Sequence, residues 1–360
     1  MIIHFIAIGG SVMHNLAIAL HKKGYKITGS DDEIFEPARS RLQKCGLLPS
    51  SPGWYPEKIN PSLDAVILGM HARDDNPELI KARKMGVRIY SFPEYLYEQT
   101  RNKKRIIIAG SHGKTTVTSM IMHALKVNGF NFDYMTGSLI EGFDTMVDLS
   151  DENTFAVFEG DEYLTSPLDP RPKFHLYKPH IGLITGIAWD HMNVFPSFEN
   201  YVEQFRIFAG MISEAILYFK GDPSLSEIIE SRKDIRVYPY DTIPSEAEND
   251  KSVIIHKSNR YPLQIFGQHN MQNLAGAMQV CKLMGLNEEK FLYAMTFFKG
   301  AARRQQHLTG NGRQDVYLDF AHAPSKVRAT VEAFRQQFRN RKIIACLELH
   351  TFSSLNSAFL

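Results

Sequence analysis

Residues 105–116 read Arg-Ile-Ile-Ile-Ala-Gly-Ser-His-Gly-Lys-Thr-Thr, an apolar β-branched run that breaks into a glycine loop carrying Lys114 and two threonines. A strand that enters such a loop and leaves it as a helix exposes free N–H groups at the helix start. The helix dipole, the loop amides and a lysine then aim at one anion. Val117, Met120, Ile121, Ala124 and Leu125 follow at i, i+3, i+4, i+7 and i+8, the stripe of a helix with one buried face. Gly110, Ser111, His112, Gly113, Lys114, Thr115 and Thr116 are therefore read as a triphosphate cradle, with Thr115 where such loops offer a hydroxyl to Mg²⁺. The spacing is tighter than the usual Walker pattern: Ile108 stands five residues before Gly113, and the upstream glycine is Gly110. A Gly-x-x-Gly-Lys-Thr of this length also fits an ordinary turn.

Outward from this loop the pattern repeats on both sides. Ile2 to Ile8 read as a buried strand, followed by Gly9-Gly10-Ser11 and a helix with Val12, Leu16, Ala19 and Leu20 inward. A second strand, Tyr25 to Gly29, ends in Ser30-Asp31, about 20 residues past the glycines, where βαβ units hydrogen-bond a ribose. The glycine fingerprint is incomplete, with Ala7 and Val12 at positions that favour glycine. Strands at Ala65 to Leu68 and Val87 to Tyr90 flank a helix begun by Pro77, and the polar stretch Gln99 to Lys104 reads as a linker.

Beyond the lysine loop, strands are expected at Thr154 to Phe158, Ile181 to Thr185, Ala215 to Phe219, Ser252 to His256 and Pro262 to Phe266, with a helix from about Met271 to Met284. Strands alternating with helices predict a mostly parallel, doubly wound α/β sheet. A strand at Val316 to Phe320, a helix from about Ser325 to Phe338 and a strand at Lys342 to Leu347 follow. The expected organisation is a Rossmann-like domain over 1–102, a central P-loop domain over 103–302, and the start of a C-terminal α/β domain over 303–360. That last segment is short for an independent parallel domain and reads as truncated.

Composition narrows the function classes. Forty-one basic against 39 acidic residues leave a net charge of +2, which gives no electrostatic case for nucleic acid. The content of 44% hydrophobic and 22% charged residues is that of a soluble globular protein. Cys45, Cys281 and Cys346 lack metal-ligand spacing and fit a reduced, cytoplasmic setting. The N-terminal apolar run has no basic flank and is short for a membrane span, so no membrane partner is expected.

Four further groups stand where ligands of such sheets bind. Glu159 closes the strand Phe155 to Glu159 and is a metal-ligand candidate, although Gly160-Asp161-Glu162 also suits a solvated acidic turn. Asp190-His191 follows the next strand, where His191 would hold a second Mg²⁺ or simply cap a turn. Arg303-Arg304 would reach a transferring phosphate or form a solvated basic hinge. Asp319, ending the strand after it, and His322 would face the same nucleotide, or Asp319 is simply another acidic strand end.

The ordered set Gly110 to Thr116, Glu159-Gly-Asp-Glu162, Asp190-His191-Met192, His269-Asn270, Arg303-Arg304 and Asp319-Phe-Ala-His-Ala-Pro324 resembles the muramyl ligase family, the ATP-dependent amide-forming enzymes of peptidoglycan synthesis and recycling. The resemblance spans nearly the whole chain and implies ATP and Mg²⁺ as cofactors. It implies that Lys114 and the loop amides hold the ATP phosphates, that Thr115 and Glu159 bind one Mg²⁺ and His191 a second. His269 and Asn270 would approach the adenine, Arg304 the γ-phosphate and Asp319 the ribose. Lys114, His191 and Arg304 would be the catalytic set, while Gly9, Gly10, Ser30, Asp31 and His71 would line a uridine-nucleotide site.

The partners so implied are UDP-N-acetylmuramate and an amino-acid or peptide acceptor, on a monomer or weak homodimer. Three local features favour the branch that takes the tripeptide L-alanyl-γ-D-glutamyl-meso-diaminopimelate over the branch that takes L-alanine: Val12, the Asp74-Asp75-Asn76-Pro77 stretch, and Asp161-Glu162-Tyr163 leading into Asp169 to His175. The lysine that other branches carbamylate is not seen, the stretch reading Glu203-Gln204-Phe205-Arg206. Ala323 stands where both branches carry a second histidine, and His350-Thr351-Phe352 follows neither. A nucleotide-binding regulatory module without turnover is the reading from another class, and a nicotinamide dehydrogenase is disfavoured by the second phosphate loop.

Overall fold

The structure is a computed structural model describing residues 1–348 except 71, 167, 191–193, 231, 249–250, 312 and 323. The first part of the chain alternates strand and helix: β1 (Ile2–Ile6), α1 (Ser11–Lys22), β2 (Lys26–Ser30), α2 (Ala38–Lys44), β3 (Ala65–Leu68), α3 (Pro77–Met85), β4 (Ile89–Ser91) and α4 (Phe92–Gln99). The lysine loop joins β5 (Lys104–Ala109) to α5 (Lys114–Val127). Then come β6 (Asp133–Met135), β7 (Val147–Asp148), β8 (Phe155–Glu159), β9 (Leu164–Ser166), β10 (Asp169–Pro172), α6 (Lys173–Leu176), β11 (Ile181–Ile184), α7 (Phe198–Met211), β12 (Ala215–Phe219), α8 (Pro223–Ile229) and β13 (Arg236–Tyr240). The last described elements are β14 (Glu246–Glu248), β15 (Lys251–His256), β16 (Asn259–Leu263), α9 (Gln268–Leu283), α10 (Glu288–Met295), β17 (Gln306–Gly310), β18 (Asp315–Leu318) and α11 (Pro324–Gln337).

Two compact units divide the chain. One comprises Met1–Arg105, Phe132–Leu139 and Phe143–Pro179; the other comprises Ile106–Asn131, Ile140–Gly142 and His180–Leu360. In the first unit a parallel sheet runs in the order β2-β1-β3-β4. Its two inner strands, β1 and β3, are mostly apolar and buried on both faces, as central parallel strands require. Element ends are set by local chemistry: the Asn76 side chain caps α3 by accepting from the Glu78 and Leu79 amides, and Gly86, at φ 66°, stops the helix in the left-handed region. Ser91 and Glu94 form a capping box on α4.

The second unit holds the parallel series β13-β12-β11-β5. Successive residues of β11 point to opposite faces, and they meet different helices. Gly182 lies against Phe208 of α7, while Leu183 lies against Gly276 of α9. Helices therefore cover both faces, as the doubly wound α/β reading expected.

Three expectations are corrected. The stretch from Gln99 to Lys104 is tied down where a linker was expected: Thr100 is buried and the Lys103 ammonium pairs with the buried Asp133 carboxylate at 2.5 Å. The strands near 252–266 are an antiparallel hairpin, β15 on β16, with no helix between them. Residues 342–347 form no strand; Ile344 is 80% exposed, and no neighbour pairs with this segment among the described residues.

Candidate functional site

In the second unit the phosphate loop is shaped by two left-handed glycines, Gly110 at φ 128° and Gly113 at φ 80°. A methyl group at Gly110 would run into the Thr185 side chain, and one at Gly113 into Asn273, so the loop tolerates neither the strain nor the volume of a side chain. Neighbouring elements brace it. The Ser111 amide donates to the Gly186 carbonyl at 2.9 Å, and the Ser111 hydroxyl meets the Tyr201 hydroxyl at 2.9 Å while accepting from the Ala188 amide at 2.9 Å. Thr185 donates to the His112 carbonyl. The Lys114 ammonium curls back on its own loop to donate to the Gly110 carbonyl at 2.7 Å. Gly113 ends the loop at the start of α5 with no side-chain cap.

Around this loop the same unit gathers charge. Asp190 accepts from Lys326 at 3.1 Å, both side chains being largely buried. His112 Nε2 meets the Ser325 hydroxyl at 3.0 Å, and burial together with the Lys326 charge holds its imidazole down to about 4. His112 is therefore neutral at pH 7. The Arg304 guanidinium stacks 5.2 Å from the Phe320 ring, between Arg303 at φ 58° and Gln305 at φ 46°. Such φ values are uncommon for side-chain-bearing residues and mark a constrained turn.

His269, Asn270 and Asp319, expected near the adenine and ribose, converge on Gln305. The buried Asn270 donates to the Gln305 side chain at 2.8 Å, and His269 Nε2 lies 3.4 Å from it. Burial pushes the His269 imidazole below its ordinary range. Asp319 accepts from the Gln305 amide at 2.8 Å and from the Ala321 amide at 2.7 Å. Sequence reading missed Gln305, Tyr201 and Lys326. The available signal for Lys326 was a cation in a first helical turn, where the helix dipole disfavours one.

In the first unit, Glu159 closes β8 as a buried carboxylate accepting from the Gly137 amide at 2.9 Å. A large cleft of about 1440 Å³ is lined by Gly9, Gly10 and Asp31, with Arg41, Arg73, Trp54 and Asn76 among its other walls. Asp31 accepts from the Gly9 amide at 2.7 Å, and burial pushes its carboxyl up to about 6. The α1 start borders this cleft at Gly10 and Ser11, and Gly10 supplies no side-chain cap. Ser30 is buried in a separate network, its hydroxyl accepting from Lys58 at 3.3 Å. His71 and His191 lie outside the described residues, as do Ala323 and residues 350–352.

Hydroxyl and carboxylate oxygens fit a hard divalent cation, and two such groups are available: Thr115 on the first turn of α5 in one unit, and Glu159 at the end of β8 in the other. Among the described residues, no cluster of three or more His, Cys, Asp or Glu side chains is assembled as a metal centre. No helix among them is long and apolar enough to cross a membrane.

Two strand–glycine loop–helix starts on parallel α/β sheets, one of them bearing a lysine, define a phosphate-loop nucleotide-binding protein. Residues 2–104 match the Mur ligase family catalytic domain, and residues 108–281 match the Mur ligase middle domain. A UDP-N-acetylmuramate–L-alanine ligase from Pediococcus pentosaceus is 30% identical over 97% of this chain and 78% of its own length. One from Limosilactobacillus reuteri is 29% identical over 98% and 79%. The chain belongs to the Mur ligase family and is an ATP-dependent, amide-forming ligase.

Solved structures share the fold. The UDP-N-acetylmuramate:L-alanyl-γ-D-glutamyl-meso-diaminopimelate ligase of Neisseria meningitides superposes with a TM-score of 0.75 at 23% identity, covering 84% of this chain and 99% of that one. The UDP-N-acetylmuramate–alanine ligase of Thermotoga maritima gives 0.73 at 23% identity, over 94% and 79%.

Proposed function

We propose that this chain uses ATP to activate the lactyl carboxylate of UDP-N-acetylmuramate and joins it to the amine of an amino-acid or peptide acceptor in the cytoplasm. The observation that carries the reading is the presence of two strand–glycine loop–helix starts of different chemistry. The loop at Gly9–Gly10 has Asp31 beside it, suited to a nucleoside with free ribose hydroxyls. The loop at Gly110–Lys114 has a lysine, suited to a triphosphate. Residues 1–102 then hold the UDP-sugar, 103–302 hold ATP, and 303–360 begin the acceptor-binding part.

A carboxylate oxygen of the substrate attacks the γ-phosphorus of ATP, and the bond to the β-phosphate oxygen breaks to release ADP. The acceptor amine then attacks the acyl phosphate carbon, losing a proton, and phosphate departs to leave the amide. Anionic carboxylate and anionic triphosphate repel each other, so cations must sit where charge is transferred. Lys114 and Arg304 supply that charge, and the loop amides orient the phosphates. Thr115 and Glu159 would hold Mg²⁺, with His191 at a second ion; the metal would neutralise phosphate charge when bound.

L-Alanine is the acceptor favoured by the curated relatives at 29–30% identity over 97–98% of the chain. The tripeptide is the second reading, favoured by Val12, Asn76-Pro77 and the Asp161-Glu162-Tyr163 stretch. Phosphate release from ATP with UDP-N-acetylmuramate is to be measured with L-alanine and tripeptide in competition. Amide formed with L-alanine in excess over tripeptide product supports the first reading, and the reverse ratio selects the second. ATP binding with no acceptor-stimulated phosphate release would instead mark a nucleotide-binding module without turnover.

A further inference from the structure

The first turn of α11 is fastened to the phosphate loop by two adjacent residues. Ser325 meets His112, two positions before Lys114, and Lys326 reaches Asp190 at 3.1 Å with side-chain exposures of 18% and 12%. A lysine in a first helical turn opposes the positive end of the helix dipole, and α11 carries no acidic residue there to offset it. Burial holds the Lys326 amine below its ordinary range; among nearby charges Asp190 favours the ammonium, and Lys114 and Arg304 oppose it more weakly. Lys326, Lys114 and Arg304 lie close enough for their like charges to oppose one another, and an anionic polyphosphate would favour all three.

We propose that Lys326 is a third phosphate clamp of the ATP site, parked on Asp190 in the nucleotide-free protein and turned to a γ-phosphate oxygen when ATP binds. This rests on the ATP-dependent ligase reading above. The exchange replaces a hydrogen bond to a singly charged carboxylate by one to a more highly charged phosphate, a net gain on triphosphate binding, and it couples the first turn of α11 to occupancy of the phosphate loop. The competing account is a plain tether, in which the Lys326–Asp190 pair only docks α11. The two accounts differ in one respect: a γ-phosphate ligand distinguishes triphosphate from diphosphate, and a tether does not.

Equilibrium binding of β,γ-imido-ATP and of ADP, each with Mg²⁺, to the full chain separates them. In K326Q the triphosphate analogue should weaken by about 10- to 100-fold, the worth of one charge-assisted hydrogen bond, while ADP stays within about threefold and K326R retains triphosphate affinity. Equal weakening of both nucleotides, or none of either, overturns the proposal. Wild-type protein that binds neither nucleotide would overturn the ligase reading itself, and the role of Lys326 with it. A measurement on unmutated protein removes any dependence on the variants folding: acylation of Lys326 by an amine-selective reagent, read by mass spectrometry, should differ between the β,γ-imido-ATP and ADP complexes. Equal reactivity in the two complexes refutes the clamp.

Discussion

Lys103→Met tests whether the segment leading into β5 is held by a buried ion pair. Asp133 is 0% exposed and Lys103 8% exposed at the side chain, and their charged atoms are 2.5 Å apart. Lys103 also donates to the Ser150 carbonyl. Removing one partner of a buried pair costs about 3–5 kcal/mol, because the survivor is left charged out of water. Asp133 would keep two donors, the Ser150 amide at 2.9 Å and the Asn153 side chain at 2.8 Å. The lower end, about 3 kcal/mol, is therefore expected.

The pH dependence has a definite sign. Burial raises the Asp133 carboxyl above its ordinary 3.8, with Lys103 the largest opposing influence. Without Lys103 it rises further. Below the wild-type folded pKa both proteins carry a neutral Asp133 and the stability gap is small; the gap opens as pH rises through that pKa. The chain has two tryptophans, Trp54 in the first unit and Trp189 in the second. Urea unfolding followed by Trp54 fluorescence in a Trp189→Phe background reports the unit concerned. A loss below about 1 kcal/mol at pH 8, where a buried unpaired carboxylate should cost several, would refute the reasoning, as would a loss independent of pH.

Lys114→Ala should lower acceptor-stimulated phosphate release by about 100-fold or more while costing only about 1 kcal/mol of stability, the net worth of its hydrogen bond to Gly110; steady-state kinetics with parallel denaturation checks this, and comparable losses in both would contradict it. Gly113→Ala forces an alanine to φ 80° and its methyl into Asn273, so stability should fall by at least about 1–2 kcal/mol in thermal unfolding and ATP affinity should fall with it. Because burial pushes Asp31 up to about 6, UDP-N-acetylmuramate should bind more weakly as pH falls below that value and the carboxylate is protonated. Titration calorimetry at pH 5 and pH 8 should show that dependence in wild type and its absence in Asp31→Asn.

The elements that the sequence showed most clearly are those whose neighbours repeat one chemistry. Ala65–Leu68 and Ala215–Phe219 appear at the expected bounds because a short apolar run between turns has few alternatives to a buried parallel strand. The β15–β16 hairpin was missed for a physical reason. Its two-residue turn, Lys257 at φ 48° and Ser258 at φ 68°, has the left-handed geometry of a hairpin turn without the Asn-Gly pair that normally announces one. The segment at 342–347 has strand-like composition, but composition supplies no partner, and a strand needs one.

The site divides along the same line. By itself, the sequence determined the two glycine loops, the lysine in the second, and the ordered motifs from Glu159 to Asp319, because each rests on residues close together in the chain. Tertiary structure alone decided that Ser30 is buried in a separate network while Asp31 borders a cleft, and that His269, Asn270 and Asp319 meet at Gln305. It alone set Lys326 on Asp190 beside the phosphate loop. These pairings join residues 14 to 136 positions apart. No local pattern encodes such a distance: backbone propensity acts over a few residues, whereas the meeting of two side chains depends on how whole elements pack.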